Sequence, residues 1–221
     1  MAESLRLYDY WRSSSAYRVR LALNLKGLDY EQVPVHLVRD GGEQNRPGYR
    51  RLNPLGLVPA LVHGERLLVQ SVAICEYLEE AFDAEPLLPR DVTGRARVRT
   101  IVQTICSEIQ PLNNLSVMQY LKGEAGLDDD RYDAWYARWI ARGFEAIESW
   151  LQEDASGRYC HGDRPGLADC FLVPQVYNAE RFSCDLSPYP RIGEVTGRCR
   201  ELEAFRNAAP ERQADCPQAG E

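Results

Sequence analysis

The segment AEPLLPRD, residues 84–91, constrains this chain more than any other. Pro86 and Pro89 each lack an N–H and fix φ, so neither a helix nor a central strand runs through them. The hydrophobic patterning differs on the two sides. Before the segment it alternates between strand-like and helix-like periods. After it, only the helical period remains.

On the N-terminal side, Leu5-Arg6-Leu7-Tyr8 alternates and predicts a strand. Tyr17–Lys26 carries Val19, Ala22 and Leu23 at helical spacing, and Gly27 is a good helix stop. Tyr30–Leu37 predicts a second strand, which Pro34 confines to a sheet edge. Residues 39–51 are polar and glycine-bearing, as in a loop or an irregular helix. Ala60–Val62 and Leu67–Val69 flank a turn at 63–66 and predict a hairpin. Ser71 is placed to cap a helix to Phe82, with Val72, Cys75, Leu78 and Phe82 on its apolar face. The order is β-α-β-β-β-α. A helical crossover favours a parallel first pair, and the tight hairpin is antiparallel.

Beyond the prolines, helices are expected at 92–121 (bent near Pro111), 128–153, 167–182 and 194–206, with a loose polar tail after Ala209. The fold class is therefore α/β plus all-α: an α/β domain over 1–83, a linker over 84–91, and an all-helical domain over 92–221.

The formal net charge of −7 and pI near 5.2 argue against nucleic acid as a partner, since phosphate binding needs a basic surface. No run reaches the roughly 18 apolar residues of a membrane span, and the first residues lack the apolar core of a signal peptide. A cytoplasmic location without a membrane partner is expected. The seven cysteines are odd in number and form no C-x-x-C, and the three histidines are scattered. Neither a disulfide framework nor a metal site is expected.

Three stretches carry chemistry. In RSSSAYRVRLAL, residues 12–23, three serines stand where a strand hands over to a helix. Capping by Ser14 or Ser15 is the plain reading. The alternative is an anion or thiolate site, because the first helical turn has unpaired N–H groups and a partial positive charge. In NPLGLVPAL, residues 53–61, Val58-Pro59 is a candidate cis bond that turns the Val58 backbone toward an extended ligand. An ordinary edge-strand proline is the competing reading. Gln70-Ser71 joins an amide and a hydroxyl to a helix start, which is a cap or a carboxylate site. One ligand satisfies all three: an extended peptide bearing a thiol and carboxylates, which is glutathione.

The stretches SSSAYRVRLALNLKG, NPLGLVPAL and QSVAICEYLEE resemble the glutathione-binding half of zeta-class glutathione transferases. The likeness continues through EIQPLNNLSV, GLADCFLVPQVYNAERF and DLSPYP, covering nearly the whole chain. It implies a thioredoxin-like N-terminal domain, a helical C-terminal domain, a homodimer and glutathione as cofactor. It also implies glutathione-dependent cis–trans isomerisation of maleylacetoacetate in tyrosine and phenylalanine breakdown. Maleylpyruvate and α-haloacids are the alternative substrates, and a non-catalytic glutathione-binding protein is the remaining alternative.

Residue by residue, the likeness assigns Ser13 to the sulfur, with Ser14 in support and Ser15 beside them. Val58 with Pro59 meets the cysteinyl backbone. Gln70 and Ser71 take the γ-glutamyl carboxylate, and Gln44 the glycine end. Gln110, Asn114 and Ser116 contribute from the helical domain. Arg12 and Arg181 hold the substrate carboxylates through bidentate guanidinium contacts. Two departures stand out. Ser15 replaces the usual cysteine, which disfavours chemistry needing a second enzyme thiol. Gly166 replaces the usual Ser or Thr cap, leaving Asp169 to satisfy that helix start. The maleylpyruvate branch tends to carry two arginines after the paired asparagines, where this chain has Leu115 and Ser116. That difference favours the longer acid.

Overall fold

The computed structural model describes residues 4–153 and 155–217. Alternation produces β1 (Leu5–Asp9), with Leu5, Leu7 and Asp9 buried and Arg6 exposed. Helix α1 (Ser14–Leu25) follows, then β2 (Tyr30–Pro34), α2 (Pro47–Leu52), β3 (Ala60–His63), β4 (Arg66–Val69) and α3 (Ser71–Ala81). The sheet order is β2-β1-β3-β4. β1 and β2 are parallel across the α1 crossover, and β3 is antiparallel to both β1 and β4.

Several boundaries shift for local reasons. α1 starts before the expected Tyr17 because Ser13 is its cap, and it stops at Gly27, whose φ of 64° follows the Lys26 cap residue. β2 ends at Pro34, on the sheet edge and short of the expected Leu37. The irregular stretch contains two 3-10 turns, Arg39–Gly41 and Glu43–Asn45, before α2.

The helical region comprises α4 (Val92–Gln103), a π-helical segment (Thr104–Ile109), α5 (Gln110–Asn113), α6 (Leu115–Gly123), α7 (Asp129–Leu151), α8 (Leu167–Arg181) and α9 (Pro190–Arg200). The single bent helix expected at 92–121 is thus divided. Pro111 offers no N–H to the turn before it, which widens to π geometry. Asn114 then turns extended and caps α6. The helix expected at 194–206 is two, because extended Leu202 separates α9 from α10 (Glu203–Ala208). Asp169, buried in α8, accepts hydrogen bonds from the N–H groups of Gly166 (2.8 Å) and Cys160 (3.0 Å), so it secures the glycine-started helix.

The chain divides into two compact units. One runs to Leu87 and takes back the chain from Glu201; the other is Leu88–Arg200. The expectation that everything from 92 onward is one helical domain is corrected at this point. α10 packs on α1, burying Phe205 and Ala208, and Asn24 donates to the Ala204 carbonyl at 3.0 Å. The tail expected to be loose is anchored as far as Asp215: Pro210 and Gln213 are buried, Gln213 donates to the Asn207 and Ala209 carbonyls, and Asp215 accepts from the Trp11 N–H.

A fully buried ion pair anchors the first unit. Arg20 of α1 donates to both carboxylate oxygens of Asp9 at 2.8 and 2.7 Å. It also donates to the carbonyls of Trp11 and Ala208, both at 3.0 Å. Gln32 completes the Asp9 site at 2.6 Å.

Candidate functional site

Sheet register brings three loops of the first unit together. Tyr8 pairs with Ala60, and Ala60 with Val69, in one row across β1, β3 and β4. The chain leaves that row as residues 10–13, enters it through Val58-Pro59, and leaves it again as Gln70-Ser71. Neighbouring strands lie about 4.8 Å apart, so the three loops span about 10 Å at one sheet edge. An extended tripeptide spans about 10 Å as well.

The serines are not equivalent. Ser13 is the cap of α1, and its Oγ accepts from the Ala16 N–H at 3.3 Å. Capping by Ser14 or Ser15 is therefore replaced by capping through Ser13. Its hydroxyl proton is not consumed in accepting a bond and can still donate. Ser14 and Ser15 occupy the first two helical positions, and all three serines are half-buried. The Ser13 N–H bonds the Tyr10 carbonyl at 2.9 Å, closing a turn over residues 10–13. Arg12 lies in that turn, half-buried, with its guanidinium 5.4 Å from the Trp11 ring centroid.

The Val58-Pro59 bond is cis. The turn before it is fixed by two donors on the Leu57 carbonyl: the Tyr49 hydroxyl at 2.7 Å and the Asn53 amide at 2.8 Å. Burial pushes the Tyr49 phenol up, so it remains a donor. Tyr10, Val35, Tyr49 and Val58 form an apolar cluster beneath the turn. Among the described residues, no hydrogen bond uses the Val58 N–H or carbonyl. Gln44 lies against the same turn. A Cβ on Gly56 would come within 3.1 Å of the Gln44 carbonyl, and the left-handed φ of 64° favours glycine there. The Gln44 side chain donates to the Leu37 carbonyl at 3.0 Å, while its Oε1 is buried with no partner among the described residues.

Gln70 is the cap position of α3 and has φ 71° and ψ 118°, a conformation that costs a side-chain-bearing residue about 1–3 kcal/mol. The expected cap, Ser71, is instead the first helical residue. It is buried, and its Oγ accepts from Arg18 Nη1 at 3.4 Å. The first turns of α1 and α3 contain no acidic residue, so both helix starts are electrostatically open to an anion.

In the helical unit, Gln110 opens α5 immediately after the π segment. Asn114 is committed to capping: its Oδ1 accepts from the Val117 N–H at 3.0 Å and the Ser116 hydroxyl at 2.7 Å. Arg181 ends α8 with its guanidinium 4.6 Å from the Phe182 ring centroid. Phe182 stacks on Tyr136, whose hydroxyl donates to Asn178 at 2.6 Å. Burial pushes the Tyr136 phenol up, and the Asn178 bond and Arg181 charge oppose that shift.

Sequence reasoning missed Arg18, Arg20, Asp9 and Asp215. The first two sit within the quoted RVR stretch, where buried arginines at that spacing resemble an exposed basic stripe. Asp215 accepts from the Trp11 N–H at 3.0 Å across 204 positions, and no local pattern signals that contact.

Residues 3–80 match the glutathione S-transferase N-terminal domain, and residues 133–198 match the glutathione S-transferase C-terminal domain. A probable maleylacetoacetate isomerase from Vibrio cholerae is 50% identical over 96% of this chain and 98% of its own length. A maleylpyruvate isomerase described as a zeta-class bacterial glutathione S-transferase superposes with a TM-score of 0.93. It is 46% identical, covering 96% of this chain and all of that one. The maleylacetoacetate isomerase of Anaeromyxobacter dehalogenans, solved with glutathione in its active site, gives a TM-score of 0.87. Its identity is 46%, over 98% of this chain and 99% of that one.

Proposed function

Since this chain belongs to the glutathione transferase family, in its zeta class, we propose that it isomerises maleylacetoacetate to fumarylacetoacetate with glutathione as cofactor. The observation that carries the reading is the single row Tyr8–Ala60–Val69, from which the three ligand-facing loops depart. The residues fit glutathione on their own chemistry. Val58 offers a backbone donor and acceptor that nothing in the described chain uses. Gln44 Oε1 is a buried acceptor without a partner there. Gln70 holds a costly conformation that places it at the anion-accepting start of α3.

Glutathione held by these residues would supply a thiolate able to add reversibly to a conjugated cis alkene, which would free that bond to rotate before the thiolate leaves. This chain's task is to hold the thiol ionised, since a free thiol has a pKa near 8.5. The Ser13 hydroxyl donates to the sulfur while its oxygen caps α1, and the α1 start adds a partial positive charge. Ser14 supports that turn and Ser15 completes it. Val58, beside Pro59, aligns the cysteinyl unit as an added strand would. Gln70 and Ser71 hold the γ-glutamyl carboxylate, with Arg18 fixing the Ser71 hydroxyl. Gln44 meets the glycine end. Gln110, Asn114 and Ser116 are assigned to glutathione, and Arg12 and Arg181 to the acid's carboxylates, on the family resemblance. A cytoplasmic homodimer is part of the same proposal and rests on the same likeness.

The second reading is maleylpyruvate isomerisation, favoured by the 0.93 superposition on an enzyme of that name. Leu115-Ser116 in place of paired arginines favours the longer acid. The test is glutathione-dependent turnover of both maleyl acids, followed by absorbance. Faster consumption of maleylacetoacetate is expected. Glutathione binding with neither acid consumed would refute isomerase function.

A further inference from the structure

The turn that carries Arg12 and Ser13 is held from both faces of the Trp11 peptide groups. The Trp11 N–H donates to Asp215 Oδ2 at 3.0 Å, and the Trp11 carbonyl accepts from Arg20 Nη2 at 3.0 Å. The two anchors differ in origin. Arg20 belongs to α1 and is locked by Asp9, beside the turn in sequence. Asp215 comes from the segment after α10, which folds back onto the first unit. That segment is fixed in turn by the Arg20 bond to Ala208 and by Gln213.

We infer that Asp215 is a positioning residue for the thiol-facing turn, fixing the Trp11 amide so that Ser13 and the α1 start meet the glutathione sulfur in register. The inference rests on the proposed role of Ser13. Asp215 is half-buried, and burial holds its carboxyl above the usual range while the Trp11 N–H pulls it back. Its second oxygen, Oδ1, is buried without a partner among the described residues. A carboxylate kept in such a place without serving the backbone of Trp11 has only a desolvation cost. The turn contains no other described donor or acceptor on the Trp11 N–H, so losing Asp215 releases one side of residues 10–13.

The test compares Asp215→Ala with Asp215→Asn, which keeps an acceptor oxygen and removes the charge. Three readouts are made on the full chain. The first is hydrogen exchange at the Trp11 amide without glutathione. The second is the ultraviolet titration of the thiol of bound glutathione. The third is the split between kcat and KM, normalised to folded protein. Asp215→Ala is expected to lose amide protection, raise the bound thiol's pKa and lower kcat about tenfold with a smaller change in KM. A misplacement near 1 Å costs on the order of a hundredfold, and a turn freed on one side moves less. Asp215→Asn is expected to restore most of all three. If Asp215→Ala does not fold, Asp215→Glu gives the same comparison by displacing the carboxylate one methylene. Unchanged exchange and titration in the Ala or Glu variant overturn the inference. So does an Asn variant as impaired as Ala, because charge rather than positioning would then act. Wild-type protein that binds no glutathione overturns the site reading itself, and this inference with it.

Discussion

Replacing Arg20 with methionine removes the hub of the first unit while preserving most of the side chain's length. Both members of the Asp9–Arg20 pair have no exposed side-chain surface. The substitution deletes both bonds to Asp9, at 2.8 and 2.7 Å, and the bonds to the Trp11 and Ala208 carbonyls. Asp9 then keeps only Gln32 as a described side-chain donor. Breaking a buried pair in this way leaves an uncompensated charge and costs about 3–5 kcal/mol. For a chain of this size, that lowers the thermal midpoint by about 6–20 °C. Urea unfolding followed by circular dichroism measures the free energy. The double variant Asp9→Leu with Arg20→Met removes both charges, and it is expected within about 2 kcal/mol of the parent, since an apolar replacement of a buried pair is often neutral. An Arg20→Met loss below about 1 kcal/mol would refute the reasoning. A double variant as damaged as the two single variants added together would do the same.

Ser13→Ala removes the cap bond to Ala16, at a cost of about 1 kcal/mol, and is expected to cut turnover about a hundredfold by losing the donor to sulfur. Unchanged turnover, with Ser14→Ala or Ser15→Ala impaired instead, moves the role along the turn. Gln70→Gly relieves a φ of 71°, so unfolding free energy should rise by about 1 kcal/mol while glutathione binds about tenfold more weakly. Calorimetry reads both effects, and a change of the same sign in both contradicts the assignment. Burial raises the Cys160 and Cys199 thiols above the ordinary thiol range, with Asp169 adding to the shift. The unfolded chain therefore releases these protons first, and stability should fall as pH rises above 9, by about 1.4 kcal/mol per pH unit for each thiol. Cys199→Ala should flatten that slope in urea titrations at pH 9–11. Arg181→Ala should mainly raise KM for the acid; a change confined to glutathione affinity would point elsewhere.

Most elements were legible because their causes are local. Alternation in Leu5–Tyr8, the Gly27 stop and the Pro34 edge each depend on residues within a few positions. The linker prolines separate two hydrophobic periods, and the α/β-then-helix order follows from them. The three candidate loops were legible because strand ends and helix starts carry their own residue signatures. The sequence did not distinguish the serines as caps, since all three have the same hydroxyl. Nor did it reveal that Asn114 and Ser116 are committed to the start of α6.

By itself, then, the sequence determined the order in which strands and helices follow one another, and which polar stretches lie between them. Tertiary structure alone decided that the chain after Glu201 returns to the first unit, and that Arg20 and Asp9 are buried. It also decided that Asp215 meets Trp11 across 204 positions. The physical reason is range. Periodicity and capping are fixed within a turn or two of chain, whereas a buried charge finds its partner only after the sheet register and the α10 packing have brought distant segments together.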